Sequence, residues 1–445
     1  MNVSTAGFLF RVLALCAIVL TSRDIQAQTG QAATNYSLTV TAERDGAIYG
    51  QGDSVVFVIQ LARGQQPVEE ATVDWTISKD GVPPVSQGKL AVIDGRGVVA
   101  STLTEPGFLL CRATFQTPGG SSISALGGAG VDPLQIKPSL PVPDDFDAFW
   151  QEQKRKLAEV PVNPRLTLVR APRDGIESFD LQADCLGAPV SGYFSRPAKA
   201  KAASSPAILT VHGAGVRSSD LNTTASYATE GFLALDINAH GLPNGKPVAF
   251  YADMAKGDLS DYRGRVGESR ETVYFLGMFL RLVRAIDFLT AQPEWDGRTL
   301  VVRGSSQGGA QAIVAAGLDS RVTFFAALVP AMCDHTGTVV GRVCGWPKIV
   351  PAGPDGNPDP RILEIARYYD AVNFAARAKA PGYFTVGFID TTCPPSSVYS
   401  AYNALKAPKD IFNDPPSRHE NTPRSLVAVR EAIQRHLREQ KGKQP

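Results

Sequence analysis

The apolar run Leu300-Val301-Val302 leads into Gly304-Ser305-Ser306-Gln307-Gly308-Gly309, and an alanine-rich stretch from Ala310 to Gly317 follows at once. Few arrangements constrain a fold more. A buried strand, a tight turn and a helix in immediate succession place Ser306 on a strained bend at the end of the strand. Side chains beside such a bend would meet neighbouring backbone, which is why glycine stands two positions to either side. Ser306 is thereby a candidate nucleophile, and Ser305 is the neighbour that faces away.

The surroundings extend this reading. Ile208-Leu209-Thr210-Val211, Phe232-Leu233-Ala234-Leu235 and Phe384-Thr385-Val386 are near-continuous apolar runs, as strands buried on both faces of a parallel sheet are. Between them the spacing of Phe275, Met278, Phe279, Leu282, Ile286 and Leu289 predicts an amphipathic helix. Alternating strands and helices imply a doubly wound, mostly parallel sheet of the α/β-hydrolase type. Two irregular insertions, about residues 240–269 and 331–369, exceed ordinary loop length and are placed to cap a site.

In this fold the chain order of the catalytic groups is serine, acid, histidine. His419, in Pro416-Ser417-Arg418-His419-Glu420, follows a short strand around Asp410–Phe412 and precedes the last helix, where the base belongs. His212 and His240 precede the serine, His335 stands where acids usually sit, and His436 is expected on a solvated helix face beside Arg435 and Arg438. The favoured acid is Asp390, at the tip of Val386-Gly387-Phe388-Ile389, with Asp334 as the alternative. His212-Gly213-Ala214-Gly215 closes the strand at 208–211, so the oxyanion donors are expected to be the N–H groups of Ala214 and Gln307.

Ahead of this region, residues 35–128 alternate as half-buried strands do, in Tyr36–Val40, Ser54–Ile59, Ala71–Ile77 and Leu109–Phe115. That pattern predicts a small all-β immunoglobulin-like sandwich over 28–130. Pro133, Pro138, Pro141 and Pro143 mark an extended linker, 131–145, and Asp144 or Asp145 can cap the helix that carries Phe146, Phe149 and Trp150. The catalytic domain is then 146–445. Since no candidate residue lies in 28–130, deleting that segment should leave hydrolysis of small soluble esters within about tenfold.

Residues 1–27 read as a signal peptide: Arg11, the apolar run Val12–Leu20, then Ile25-Gln26-Ala27 at the cleavage site. Leu15 does not suit a lipoprotein signal at Cys16. Export to the periplasm or medium is expected, with no membrane span, because nine apolar residues cannot cross a bilayer as a helix. Loss of Arg11, Arg23 and Asp24 takes the net charge from +1 to zero, which leaves no electrostatic footprint for nucleic acid. Hydrophobic residues make up 44% and charged ones 20%, within the range of ordinary globular chains. Five cysteines remain, an odd number, without zinc spacing, so buried free thiols are preferred over a Cys333–Cys344 disulfide. No metal or cofactor is called for.

Residues 141–440 resemble the acetyl xylan esterase and cephalosporin C deacetylase family, carbohydrate esterase family seven. The likeness rests on Phe146-Asp147-Ala148-Phe149-Trp150, on the elbow at 304–309, on Asp390-Thr391-Thr392-Cys393-Pro394-Pro395-Ser396 and on Ala401-Tyr402-Asn403. It implies a metal-free serine esterase that removes acetyl or other short acyl groups from sugars, with Ser306, Asp390 and His419 as its triad. Family members commonly carry an aromatic residue where Ala214 stands, which implies a wider pocket here. They often form hexamers, so a homo-oligomer is among the expectations. Tyr251, Tyr262, His335 and Trp346 in the insertions are candidates to meet a sugar. Two rival readings are a prolyl oligopeptidase-like peptidase and a carbohydrate-binding or adhesion protein with an inert hydrolase domain.

Overall fold

The computed structural model describes residues 35–351 and 357–442. The expected signal peptide and Cys16 lie outside the described residues. No helix among the described residues is long and apolar enough to cross a membrane.

The larger sheet follows from the apolar runs. Its nine strands stand in the order Arg165–Val169, Ile176–Ala183, Val190–Pro197, Leu233–Ile237, Ser205–Val211, Trp295–Ser305, Phe324–Leu328, Gly382–Gly387 and Lys409–Asp414. The pairings as far as Leu233–Ile237 are antiparallel, and the five beyond it are parallel. Every residue of Leu233–Ile237, Phe324–Leu328 and Gly382–Gly387 is buried, as strands covered on both faces must be. Helices Phe275–Thr290 and Gln307–Leu318 both pack against this sheet. Ser205–Val211 lies between Leu233–Ile237 and Trp295–Ser305, so the order reverses there. Loops leaving the carboxyl ends of neighbouring strands diverge at such a point and open a crevice.

Residues 36–131 form a second sheet, ordered Tyr36–Ala42, Val55–Arg63, Arg96–Ser101, Pro84–Ile93, Glu70–Lys79, Gly107–Gln116, Ser122–Val131 and Ile48–Tyr49, with Gln66–Pro67 beside Val55–Arg63. Alternation drives it: Val55, Phe57, Ile59 and Leu61 point inward from one strand and are almost fully buried. A single pair, Ile93 with Arg96, joins its two halves.

This sheet rests on the α/β part. Phe108 packs edge-on against Phe388 with centroids 5.0 Å apart, and Tyr399 lies 5.5 Å away. Gly128 passes so close that a Cβ there would stand 2.5 Å from the Phe388 carbonyl oxygen. One continuous buried cluster holds residues of both sheets. The segment expected as an extended linker is fastened along its length. Asn403 donates to the carbonyls of Pro133 and Ile136, Arg342 to that of Lys137, and Arg367 to that of Pro141. Asp145 does stand at the helix N-cap, but its side chain makes no capping bond and pairs instead with Arg270 and Tyr368.

Candidate active site

The bend at Ser306 has φ 57° and ψ −120°, outside the regions an L-residue prefers. Its surroundings enforce it. A Cβ on Gly304 would come 2.2 Å from the Gly308 carbonyl oxygen, and one on Gly308 would come 2.1 Å from that of Val211. The Ser306 N–H donates to Leu328 at 2.8 Å, while its carbonyl accepts from Ala310 and Ala331. The serine backbone is therefore held by the neighbouring strand Phe324–Leu328, by the segment after it and by its own helix before its side chain makes any contact.

Its hydroxyl lies 2.8 Å from His419 Nε2, and His419 Nδ1 lies 2.7 Å from Asp390 Oδ2. An ionised carboxylate only accepts, so Nδ1 carries the hydrogen and the Nε2 lone pair faces Ser306. The other Asp390 oxygen accepts from the N–H groups of Thr392 and Cys393, each at 2.8 Å. Asp390 is thus completely engaged and its side chain is only 1% exposed, whereas the imidazole is 23% exposed and open to the crevice. The Ile389 N–H donates to Ser417 at 3.3 Å, tying the segment before Asp390 to the loop that carries His419. Such a line can draw the proton from the serine hydroxyl and hold the imidazolium that results.

Asp334, the alternative acid, serves the scaffold. It accepts from the Ser139 N–H at 2.9 Å and from its hydroxyl at 2.6 Å, and pairs with Arg342 at 3.1 Å. Next to it burial, then the Asp334 charge, pushes Asp370 up to about 7. The insertion behind Asp334 braces the site: Trp346 donates its N–H to Thr392 and accepts from Met332, two positions before Asp334.

Of the oxyanion candidates, Ala214 lies in the loop that leaves strand Ser205–Val211, and Gln307 lies at a helix start. Gln307 opens a helix, and its N–H is one of the four that have no intrahelical acceptor. Gly213, immediately before Ala214, lies against Ser306: a Cβ built there would be 3.5 Å from Ser306 Cβ.

The remaining histidines are structural. Burial drives His212 down to about 3 and His240 down to about 4, so both stay neutral near neutral pH. His212 Nδ1 donates to the Gly213 carbonyl at 2.6 Å, and its Nε2 accepts the Ala239 N–H at 3.1 Å. His335 is fully buried, driven down to about 3 by desolvation, and neither ring nitrogen meets a partner among the described residues. His436, expected on a solvated face, is 3% exposed. Its ring lies over Phe324 and its Nε2 bonds the Thr323 hydroxyl, because the last helix presents that side to the sheet. Of the aromatic groups expected to meet a sugar, Tyr251 is buried with its hydroxyl on the Pro243 carbonyl, and His335 is enclosed. Trp346 is half-buried beside Tyr262.

The five described cysteines are all buried free thiols. Ligand atoms of Asp390, Cys393 and His419 come within 4.8 Å of one another, close enough for a metal. The donor set does not suit one: both Asp390 oxygens are taken, and burial holds the Cys393 thiol well above its usual range. Three features of the site had no signal in sequence: the Ser139–Asp334 contact, the brace through Trp346, and the fit of Phe108 on Phe388.

Known proteins share this chain's sequence pattern and fold. The family model for acetyl xylan esterase matches residues 133–436. An acetyl esterase of Xylanibacter ruminicola is 32% identical over 398 residues, covering 86% of this chain and 87% of the relative. That share, about 383 of 445 residues, exceeds the 313 from position 133 to the end, so the likeness reaches into the N-terminal strands. The solved acetyl xylan esterase from Paenibacillus sp. R4 is 27% identical with a TM-score of 0.59, covering 68% of this chain and 98% of that one. Acetyl xylan esterase 1 from Thermoanaerobacterium sp. JW/SL YS485 shares the fold at 21% identity and a TM-score of 0.57, with 68% and 97% covered.

Proposed function

The chain belongs to the acetyl xylan esterase family, and from that premise we propose that it removes acetyl groups from acetylated xylan and related oligosaccharides through an acyl-enzyme on Ser306. It is a carboxylic ester hydrolase. The observation that carries the mechanism is the unbroken line from Ser306 Oγ through His419 to Asp390. His419 Nε2 takes the hydroxyl proton as Ser306 Oγ attacks the acetyl carbonyl, and Asp390 steadies the imidazolium. The developing oxyanion is met by the N–H groups of Ala214 and Gln307. Collapse returns the proton from His419 to the departing sugar oxygen. Water, activated by the same imidazole, then releases acetate.

The family match supports this over a peptidase, and the connected triad supports it over an inert domain. The decisive test is a panel of p-nitrophenyl acetate, butyrate and octanoate with acetylated xylo-oligosaccharides. We expect kcat/KM to be greatest for acetate and to fall in steps, since each methylene changes a pocket's preference by only ~1–3 kcal/mol. Acetate should be released from the sugars, and a fluorophosphonate should label Ser306. A maximum at octanoate, or no acetate from any sugar, would overturn the assignment.

We also read residues 28–130 as an immunoglobulin-like accessory sandwich before the catalytic domain at 146–445, a reading supported by its antiparallel strand pairings. Export follows from the apolar run Val12–Leu20. Amino-terminal sequencing of the protein from its native host should begin at Gln28, and a chain that retains Met1 would refute export by cleavage.

A further inference from the structure

We propose that Tyr262 is a positioning residue that holds the two oxyanion donors in register, an inference that rests on the esterase reading above. Tyr262 begins a single 3-10 turn, Tyr262–Gly264, inside the first insertion and is 3% exposed. Its hydroxyl lies 3.1 Å from the Gly215 N–H and 3.0 Å from Gln307 Oε1. A backbone N–H can only donate, so the phenol oxygen accepts from Gly215 and its own hydrogen goes to Gln307 Oε1. Gly215 is the residue after Ala214, and Gln307 is the residue after Ser306. One buried hydroxyl therefore joins the strand-end loop that supplies the first donor to the helix start that supplies the second.

The bridge is itself fixed. The His240 ring meets the Tyr262 ring edge-on at 4.6 Å, and Tyr274 lies 5.4 Å away. His240 Nε2 is 3.2 Å from the Gly215 carbonyl, which can only accept, so the hydrogen sits on Nε2 and Nδ1 accepts from the Tyr274 hydroxyl at 2.7 Å. Both polar groups of Gly215 are thus held by the first insertion and the turn that follows it. Ala214 has no side chain long enough to anchor the loop, so its N–H is aimed by its neighbours. Burial keeps the Tyr262 hydroxyl protonated, as the donor role requires. Its oxygen touches neither Ser306 nor His419, so Tyr262 acts through the donors.

Tyr262→Phe removes the hydroxyl and keeps the ring. Losing one oxyanion donor outright costs about 10²–10³ in kcat, and loosening both should cost about 10- to 100-fold, with KM changed less than about threefold. The pH profile of kcat/KM should keep its acid limb, because the His419–Asp390 pair is untouched. Gln307→Met keeps both backbone donors and breaks the same bridge, so it should lower kcat similarly. The double variant should lose little more than either alone. Tyr262→Phe with kcat within twofold, a rise in KM at unchanged kcat, or additive losses would each overturn the proposal. Should Tyr262→Phe fail to fold, Gln307→Met alone decides, with kcat within twofold refuting the bridge. Fluorophosphonate labelling of the wild type separates the two readings: labelling with an unaffected Tyr262→Phe sinks only the bridge, and no labelling or hydrolysis sinks both.

Discussion

Ser306→Ala should retain less than about one part in a thousand of wild-type kcat on p-nitrophenyl acetate, with an unchanged thermal midpoint. The size follows from the arrangement. Ser306 Oγ lies 2.8 Å from His419 Nε2, and without it the acyl-enzyme cannot form. The backbone at 306 is held by Leu328, Ala310 and Ala331, so a methyl side chain leaves the elbow in place. His419→Ala should lose nearly as much, and combining the two should cost little further, because groups acting as one unit do not contribute additively. Asp390→Asn should lose less, since the acid orients the imidazole and steadies its charge. Asp334→Asn is the control: its bonds run to Ser139 and Arg342, so kcat should stay within about threefold while stability falls. Residual activity in Ser306→Ala above one part in a thousand, or a larger loss in Asp334→Asn than in Asp390→Asn, would refute the assignment.

The elbow was legible because its signals are local. A glycine pattern, a strand and a helix lie within twenty residues, and each requires the others. Buried parallel strands also announce themselves through unbroken apolar runs, as Ile208–Val211 does inside Ser205–Val211. The antiparallel edge did not. Arg165–Val169 exposes both Leu166 and Leu168, so its apolar residues carry no inward alternation. Pro84–Ile93 and Arg96–Ser101 were hidden for a related reason, with Val85, Ile93 and Val98 facing water. Ser122–Val131 looks like a turn in sequence because it holds Gly127, Gly128 and Gly130. In the fold those glycines are where Val40, Phe388 and Phe108 press against the strand. His436 shows the same limit from the other side: flanking arginines suggested a wet face, but a helix puts its neighbours on different sides. Tyr262 carried a signal as an aromatic in a long insertion, yet its partners lie 47 and 45 residues away. No spacing rule reaches that far.

Deleting residues 28–130 should cost at least about 100-fold in kcat or leave the protein insoluble, against the sequence expectation of a loss within tenfold. No candidate catalytic residue lies in that segment. The contacts outweigh that consideration. Phe108 is 3% exposed and sits between Phe388 and Tyr399, and Phe388 stands two residues before Asp390. Removing the sheet uncovers those rings and deprives Val343 of its bond to the Asp80 carbonyl. A misplacement of about 1 Å at a reacting group can cost about 10²-fold, and the acid turn is the group nearest to the lost surface. Point variants separate displacement from collapse. Phe108→Ala should lower the unfolding free energy by about 3–5 kcal/mol, as burying a large ring and then removing it does. Below its unfolding midpoint its kcat should fall with little change in KM. Gly128→Val tests the same joint from the opposite direction, by forcing a side chain into space where a Cβ would already stand 2.5 Å from the Phe388 carbonyl. Steady-state kinetics beside denaturant titrations reads both effects. A soluble, folded 131–445 chain with activity within tenfold would mean that the N–H groups of Thr392 and Cys393, with the parallel strand before them, hold Asp390 in place unaided.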